Sequence, residues 1–101
     1  MYPVGTITPE EIKERLRKGE QLTVIDVREP DEVALGMIPG AIHIPLAAIP
    51  VRSDEIPEAE EIILVCRSGN RSGRACEYLQ QSGVKGLKNM LGGMMAWDET
   101  E

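Results

Sequence analysis

The sequence predicts an α/β domain built around a mostly parallel β-sheet. Short aliphatic and β-branched runs without polar alternation, typical of strands buried on both faces, alternate along the chain with segments of helical periodicity. The connections between these segments are short, as in domains whose helices cover a parallel sheet. The chain has 101 residues, which suits one domain with a modest core. We therefore expect residues 1–101 to form a single domain.

The first predicted element is a helix that begins at Pro9 and ends near Lys18. Thr8 supplies an N-cap hydroxyl, Pro9 suits the first helical position, and Glu11 completes a capping box. Gly19 follows, and glycine commonly occurs just after the end of a helix. These local signals define both ends of the helix.

Four apolar segments are predicted to form strands, and Ile62-Ile63-Leu64-Val65 is the clearest because it contains no polar residue. The expected strands are residues 23–27, 41–44, 62–65 and, with a weaker pattern, 87–90. Helical segments are expected at residues 30–35, 72–81 and 95–97, with turns at Gly36, Pro39-Gly40 and Gly92-Gly93. Residues 52–61 hold five acidic residues, so we interpret them as a solvated connection that can include a helical turn, rather than as a binding tail.

The composition narrows the classes of partner. The formal net charge is −6 at pH 7, so the field of the protein repels polyanions such as nucleic acid and anionic membrane surfaces. No segment approaches the ~18 consecutive apolar residues of a membrane span, and residues 1–5 lack the basic region and apolar run of a signal peptide. We expect a cytoplasmic protein that binds neither nucleic acid nor membranes.

The two cysteines, Cys66 and Cys76, are too few for a disulfide framework and match neither a C-x-x-C pair nor a zinc pattern. Each is expected to be a free thiol. Cys66 directly follows the strand predicted at 62–65 and precedes a predicted helix, and ligands of parallel sheets bind at the carboxyl ends of strands. Cys66 is therefore placed where an α/β domain binds its substrate.

The predicted centre of the chemistry is the loop Cys66-Arg67-Ser68-Gly69-Asn70-Arg71. A loop of this length ahead of a helix can turn several backbone N–H groups inward and form a concavity that favours an anion. Such a setting stabilises thiolate over thiol, and cysteines at helix N-termini commonly have a pKa of ~3.5–7.5. Gly69 and Asn70 tolerate the positive φ that such a curl requires. We therefore predict that Cys66 is a nucleophile.

Three arginines, Arg67, Arg71 and Arg74, lie within nine residues that contain no acid, although the whole chain is acidic. Arg74 also falls in the first turn of the predicted helix, where the helix dipole disfavours a cation. The alternative interpretation is that the arginines bridge to acidic surface residues and that Cys66 is a small buried apolar residue. The combined pattern favours a functional site.

At these residues the sequence resembles the rhodanese family, and the resemblance covers nearly the whole chain. The matching segments are 7–11, 26–30, 36–45, the Cys66 loop and 92–97. The resemblance implies a rhodanese-like fold with a parallel five-stranded sheet flanked by helices on both faces. It also implies a cysteine that accepts sulfane sulfur from a donor and passes it to a nucleophilic acceptor, and Cys66 matches that cysteine.

The loop also matches the C-x-x-x-x-R length of sulfurtransferases, which is one residue shorter than in the related phosphatases. By this resemblance the residues expected to bind substrate are Arg67, Ser68, Gly69, Asn70 and Arg71. One departure is Met37, since the family usually has histidine there. This difference puts in question a local hydrogen bond and a partner contact, but not the nucleophile.

Two residues are expected to support the loop. Asp26 ends a predicted strand and is expected to pair with Arg71 or Arg28. Arg28 has two interpretations, contact with an anionic donor or a bridge to Glu29 and Glu32, and the structural one is favoured.

The remaining notable side chains favour structural roles. His43, the only histidine, lies in a short predicted strand and is expected to be hydrogen-bonded rather than a catalytic base. Cys76 lies on the apolar face of its helix and is expected to fill the core. Met94, Met95 and Trp97 either line the site or pack a C-terminal turn, and the sequence leaves both alternatives open.

We expect a two-step transfer in which Cys66 takes sulfur from a donor such as thiosulfate and passes it to a thiol or cyanide. No metal or organic cofactor is expected. Three rivals remain: a sulfur-relay module whose acceptor is a thioredoxin-like or other protein, phosphoryl or arsenate chemistry on the same scaffold, and a binding domain with little turnover. The relay is the strongest rival because it differs only in its acceptor.

Overall fold

A computed structural model describes residues 4–100 as a five-stranded sheet in which every neighbouring pair is parallel. Residues 1–3, which include most of the segment inspected for a signal peptide, and residue 101 lie outside the described part. The strands, in chain order, are β1 (Gly5–Ile7), β2 (Val24–Asp26), β3 (Ile42–His43), β4 (Ile62–Val65) and β5 (Leu87–Met90). Their order across the sheet is β1-β5-β4-β2-β3.

The fifth strand, β1, is the strand that the sequence patterns missed. It has only three residues, and it pairs with β5 so that Gly5 lies opposite Lys88 and Ile7 opposite Met90. A three-residue segment carries too little periodicity to predict a strand, and here the pairing with a distant segment determines the conformation. The four predicted strands are all present, and the five-stranded sheet implied by the family resemblance is confirmed.

The helices follow the strands in the expected alternation. They are α1 (Pro9–Arg17), α2 (Pro30–Val33), α3 (Ile49–Arg52), α4 (Asn70–Gln81) and α5 (Gly93–Glu99), with 3₁₀ turns at Leu46–Ala48 and Ser53–Glu55. The N-cap predicted for α1 is present, since the Thr8 hydroxyl accepts a hydrogen bond from the Glu11 N–H at 3.2 Å. The final turn extends to the seven-residue α5, and the helical segments at Leu46–Ala48 and Ile49–Arg52 were not predicted. The helical turn allowed in the connection at 52–61 is present at Ser53–Glu55.

Apolar residues fill both faces of the sheet, because successive side chains of the buried strands point to opposite sides. On one face Ile62 and Leu64 of β4 pack with residues of α3 and α4, including Ile49 and Leu79. On the other face Ile63 and Val65 pack with Ile7, Ile12, Met90 and Met94, which come from β1, α1, β5 and α5. Helices therefore flank the sheet on both faces, as expected.

No helix within residues 4–100 is long and apolar enough to cross a membrane.

Candidate active site

Cys66 directly follows β4, at the carboxyl end of the central strand. The loop after it is shorter than predicted, because α4 begins at Asn70 rather than at Ser72. Gly69 precedes the helix with φ of 104°, a left-handed conformation that glycine adopts without steric cost. The tight turn at Gly69 brings the first turn of α4 against Cys66.

The Cys66 sulfur is enclosed by hydrogen-bond donors. Its Sγ accepts the Gly69 N–H at 3.0 Å and the Ser72 hydroxyl at 3.2 Å. Burial raises the pKa of the Cys66 thiol, but the Ser72 hydroxyl and the inward N–H groups outweigh burial and bring the pKa below its ordinary value. The contributing N–H groups belong to Ser72, Gly69 and Ser68. The loop therefore stabilises a thiolate at a site with no exposed surface.

A polar bridge from β5, which the sequence patterns missed, holds this arrangement. The Ser72 hydroxyl donates to the Asn89 Oδ1 at 2.5 Å as well as to Cys66, so its one proton is shared between the two acceptors. The Asn89 Nδ2 donates to the Gly69 carbonyl at 3.0 Å. Ser72 could have been suspected as a small hydroxyl residue directly after the loop. Asn89 gives no local signal, because only the pairing of β4 with β5 brings it to the loop.

The start of α5 supports the other side of the loop. The Met94 N–H donates to the Cys66 carbonyl at 2.8 Å, and the Met95 N–H donates to the Arg67 carbonyl at 3.0 Å. Gly93 has φ of 59°, and a Cβ atom there would lie 2.3 Å from the Arg67 carbonyl carbon. The Gly92-Gly93 segment was predicted only as a turn. At Gly93 its backbone lies so close to the Arg67 backbone that no side chain fits between them.

The loop arginines are not equivalent. Arg71 makes a bidentate ion pair with Glu32 of α2, with nitrogen–oxygen distances of 2.6 and 2.8 Å. Hydrogen bonds from Arg71 and from the Glu29 N–H lower the pKa of Glu32 to about 2. The side chain of Arg67 is exposed and has no hydrogen-bonding or charged partner within residues 4–100, and Arg74 is also exposed. Arg67 is thus the loop cation that is open to an incoming anion.

A cavity of about 360 Å³ opens beside the loop. It is bounded by Arg67 of the loop, by the end of α2 with the turn that follows, and by α5. Leu35 is 91% exposed and Met95 is 50% exposed, so the apolar rim of the cavity faces solvent. The other lining residues are Arg28, Glu32, Gly36, Met37, Met94, Trp97 and Asp98.

The family comparison agrees with this geometry: the family model described as "Rhodanese-like domain" matches residues 8–100. The chain belongs to the rhodanese-like domain family. Among similar proteins, "Sulfurtransferase" of Allochromatium vinosum is 43% identical over 93% of this chain and 88% of its own length. "Putative sulfurtransferase YtwF" of Bacillus subtilis is 45% identical over 94% of this chain and 91% of its own length.

Solved structures of the family confirm the fold. The rhodanese-like domain protein from Staphylococcus aureus has a TM-score of 0.85 and 36% identity, and the alignment covers 93% of this chain and 91% of that one. The human single-domain sulfurtransferase TSTD1 has a TM-score of 0.77 and 29% identity, with 98% of this chain and 99% of that chain covered. The fold of this chain is therefore rhodanese-like, and the Cys66 loop follows its central strand, β4.

In this rhodanese-like domain, Asp26 and Arg28 form a buried ion pair at 2.8 Å. Of the two partners expected for Asp26, the structure selects Arg28, since Arg71 is held by Glu32. Arg28 also donates to the Gly36 carbonyl at 2.7 Å and to the Glu32 carbonyl at 3.4 Å. The expected bridge from Arg28 to the side chains of Glu29 and Glu32 is replaced by contacts with Asp26 and backbone carbonyls.

Met37, which stands where the family usually has histidine, lines the cavity beside the loop. The departure therefore places a flexible apolar side chain in the lining of this cavity. Met94, Met95 and Trp97 all line the same cavity, and Met94 is also buried in the core with Trp97 packed against it, so both sequence interpretations of this segment hold in part.

Two other residues take structural positions. The His43 Nε2 lies 2.7 Å from the Arg28 carbonyl oxygen, which is a hydrogen-bonding distance. Cys76 is 1% exposed within the apolar cluster on the α4 face, and burial raises the pKa of its thiol to about 12. Cys76 is thus buried as a thiol among apolar side chains.

Proposed function

We propose that this chain is a sulfurtransferase that takes sulfane sulfur from a donor such as thiosulfate onto Cys66 as a persulfide. The sulfur then passes to a thiol or cyanide. The observation that carries the proposal is the setting of the Cys66 Sγ, which accepts hydrogen bonds from the Gly69 N–H and the Ser72 hydroxyl at the carboxyl end of the sheet. That setting favours the thiolate, which is the nucleophilic form of cysteine.

In the loading step, the Cys66 thiolate attacks the outer sulfur of thiosulfate. A new sulfur–sulfur bond forms at Cys66, the sulfur–sulfur bond of thiosulfate breaks, and sulfite leaves with the electron pair. The enzyme is left with a Cys66 persulfide anion. The protein supplies a positioned nucleophile and inward donors, and needs no external oxidant or reductant.

In the unloading step, a thiolate or cyanide attacks the terminal sulfur of the persulfide. The acceptor gains this sulfur, and the Cys66 thiolate leaves with the electron pair of the broken bond. The hydrogen bonds from Gly69 and Ser72 stabilise the departing thiolate as they stabilise the resting one. The same donors therefore assist both the first attack and the last departure.

The two loop arginines have different roles, because Arg71 is ion-paired and the side chain of Arg67 is not. Arg67 is the exposed, unpaired cation beside the cavity, so it attracts the anionic donor and the departing sulfite. Arg71, held by Glu32, positions the start of α4 and contributes its charge more weakly. The N–H groups of Ser68 and Gly69 face the sulfur, while Asn70 begins the helix. The buried pair of Asp26 and Arg28 supports the adjoining segment.

A sulfur relay to a protein acceptor is the second candidate, and the names of relatives favour it. "Putative sulfur carrier protein YrkF" of Bacillus subtilis is 37% identical, and the match spans 51% of its length. "Adenylyltransferase and sulfurtransferase MOCS3" of Arabidopsis thaliana is 34% identical over 23% of its length. In both, a domain similar to this chain is part of a longer protein. An acceptor cysteine of a thioredoxin-like or other protein would use the same Cys66 chemistry.

Steady-state transfer from thiosulfate to cyanide tests the proposal with two matched variants. Cys66→Ser is expected to lower the rate to background, since the hydroxyl is a far weaker nucleophile. Cys76→Ser is expected to retain transfer in its folded fraction, because this thiol lies in the core. Circular dichroism measures the folded fraction of each variant. Transfer that survives in Cys66→Ser, or that is lost in folded Cys76→Ser, would overturn the assignment.

A further inference from the structure

The Ser72 hydroxyl has two hydrogen-bond acceptors but a single proton. Its oxygen lies 2.5 Å from the Asn89 Oδ1 and 3.2 Å from the Cys66 Sγ. An amide oxygen and a thiolate can only accept, so neither group can donate a proton in return. Ser72 and Cys66 are completely buried, so solvent does not supply another partner to either side chain. The amide oxygen and the sulfur therefore compete for the same proton.

The orientation of the Asn89 amide is fixed by the loop. Its Nδ2 donates to the Gly69 carbonyl at 3.0 Å, and because a carbonyl cannot donate, the amide oxygen must be the atom that faces Ser72. The Gly69 carbonyl also accepts the Gly73 N–H at 3.1 Å, so it keeps a backbone partner without Asn89. The contact of Nδ2 with Gly69 thus directs the Asn89 oxygen at the Ser72 hydroxyl.

The outcome of this competition depends on the chemical state of Cys66. Hydrogen bonds to charged groups are about twice as strong as neutral ones, so a Cys66 thiolate draws the hydroxyl proton away from the amide. In the persulfide, the Sγ is bonded to a second sulfur, which carries the negative charge. A divalent sulfur is a weak acceptor, whereas the Asn89 oxygen remains 2.5 Å from the hydroxyl. Asn89 therefore supplies the partner that the Ser72 hydroxyl loses when sulfur is loaded.

We propose that Asn89 is a positioning residue for sulfur transfer, and that it acts through the Ser72 hydroxyl. Its amide oxygen accepts the hydroxyl proton while Cys66 carries the sulfur, and yields that proton to Cys66 as the thiolate departs. The proton stays bonded to the Ser72 oxygen throughout, so the hydroxyl only changes direction and no covalent bond forms or breaks. The inference rests on the proposed function, because it concerns the two states of the same Cys66 site.

Loss of the Asn89 oxygen should affect both states of Cys66. Burial raises the pKa of Cys66, and the Ser72 hydroxyl is the strongest of the groups that lower it. Without the competing oxygen, this hydroxyl donates fully to the thiolate, so the pKa of Cys66 should fall further. In the persulfide state the buried hydroxyl is left without a partner, which should lower the equilibrium constant for sulfur loading by about tenfold.

The test uses Asn89→Leu, which removes the oxygen with a side chain of similar size. The pH dependence of Cys66 alkylation reports the pKa, and intact mass at fixed ratios of thiosulfate to sulfite reports the loading equilibrium. The acid limb of alkylation is expected at lower pH than in the native chain, and the loading constant about tenfold lower. A purely structural role predicts the opposite pH shift, because a loosened loop withdraws donors from the thiolate. An acid limb that is unchanged or at higher pH in the folded fraction, or an unchanged loading constant, would overturn the inference.

A double-mutant cycle with Ser72→Ala tests whether Asn89 acts through the hydroxyl. Ser72→Ala removes the contested proton, so the addition of Asn89→Leu is expected to leave the acid limb in place and to change the loading constant by less than about twofold. If Asn89→Leu had its full effect in the Ser72→Ala background, Asn89 would act on Cys66 by another route, and the inference would be wrong.

Lys88→Met is the matched control, since Lys88 is the neighbouring residue of β5 and pairs with Glu61 rather than with the loop. It is expected to change neither measurement. The same shifts as in Asn89→Leu would indicate a general effect of altering β5 and would contradict the inference.

Asn89→Val keeps the test decisive if Asn89→Leu folds poorly, because valine also lacks the oxygen and its branched side chain suits a strand. The same two shifts are expected in its folded fraction, which circular dichroism measures, and their absence there would also overturn the inference. If the native chain gains no sulfur from thiosulfate, the proposed function itself fails. The alkylation profiles need no sulfur donor, so they still decide whether Asn89 competes with Cys66 for the proton.

Discussion

Cys66 and Cys76 lie ten residues apart and are both almost completely buried, at 0% and 1% exposure, yet their thiols have opposite chemistry. Burial raises the pKa of Cys76 to about 12. The same effect acts on Cys66, but hydrogen bonds reverse its direction and lower the pKa. Burial alone therefore does not decide whether a cysteine is inert. The difference is made by donors that converge on one sulfur and are absent around the other among the described residues.

The backbone explains why only one position gains these donors. Cys66 lies where a strand ends and a tight turn begins, so N–H groups of the loop have no strand partner and face the sulfur. Cys76 lies inside α4, where the N–H groups are used by the helix itself. The ends of secondary-structure elements supply unpaired donors, and their interiors do not.

The largest expected difference between the two thiols is in alkylation. At mildly acidic pH, iodoacetamide should modify Cys66 at least about a hundredfold faster than Cys76, because the thiolate fraction falls about tenfold for each unit by which the pKa exceeds the pH. The pKa of Cys76 is raised to about 12, whereas that of Cys66 lies below its ordinary value. Peptide mapping of the modified chain measures both rates in one sample. Equal labelling of both thiols, or faster labelling of Cys76, would break the comparison.

The next largest effect is expected from Gly93→Ala, which should reduce the difference in reactivity between the Cys66 and Cys76 thiols. A Cβ atom at Gly93 would overlap the Arg67 and Ser68 backbone at 2.3 and 2.5 Å, so the loop must move and the donors lose alignment with Cys66. Transfer should fall by about a hundredfold, since small displacements of a catalytic group have effects of this size.

Gly19→Ala is the control for Gly93→Ala. Gly19 also has a positive φ, 85°, but open space surrounds the position of a Cβ atom. The Gly19→Ala variant should lose about 1 kcal/mol of unfolding free energy from backbone strain, and its sulfur-transfer rate should equal that of the native chain. If Gly93→Ala remained as active as Gly19→Ala, the packing of α5 against the loop would not determine the reactivity of Cys66.

A smaller effect is expected from Ser72→Ala, which removes one donor and leaves the backbone intact. Since the Ser72 hydroxyl lowers the pKa of Cys66, its removal should raise that pKa, because the thiolate loses one of its hydrogen-bond donors. The acid limb of the pH–rate profile should move to higher pH, because thiolate forms only as pH rises through the pKa.

Ser82→Ala is the matched serine change, at an exposed hydroxyl that bonds the Tyr78 carbonyl at the end of α4. The pH profile of this variant should coincide with that of the native chain. An unchanged profile in Ser72→Ala would show that the backbone N–H groups alone determine the difference between Cys66 and Cys76.

The features that the sequence predicted correctly depend on neighbouring residues. The Thr8 cap, the apolar strand β4 and the position of Cys66 after it can each be recognised within a few residues, because local periodicity and turn chemistry determine them. The core position of Cys76 follows equally from the apolar face of its helix.

The features that were missed join distant segments. The short strand β1 forms by pairing with β5, and Asn89 reaches the loop only through the sheet. Glu32 could not be assigned to Arg71, because many acids could pair with that arginine until the fold places α2 beside the loop. The family resemblance supplied the number of strands, but not these side-chain partners.

The central claim is that Cys66, and not Cys76, carries the transferred sulfur. Incubating the native chain with thiosulfate, removing the donor and measuring the intact mass tests it directly, with peptide mapping of the product. The account predicts a gain of one sulfur atom, located on the peptide that contains Cys66 and lost on addition of cyanide. No gain in mass after incubation with thiosulfate, or a sulfur atom located on Cys76, would contradict it.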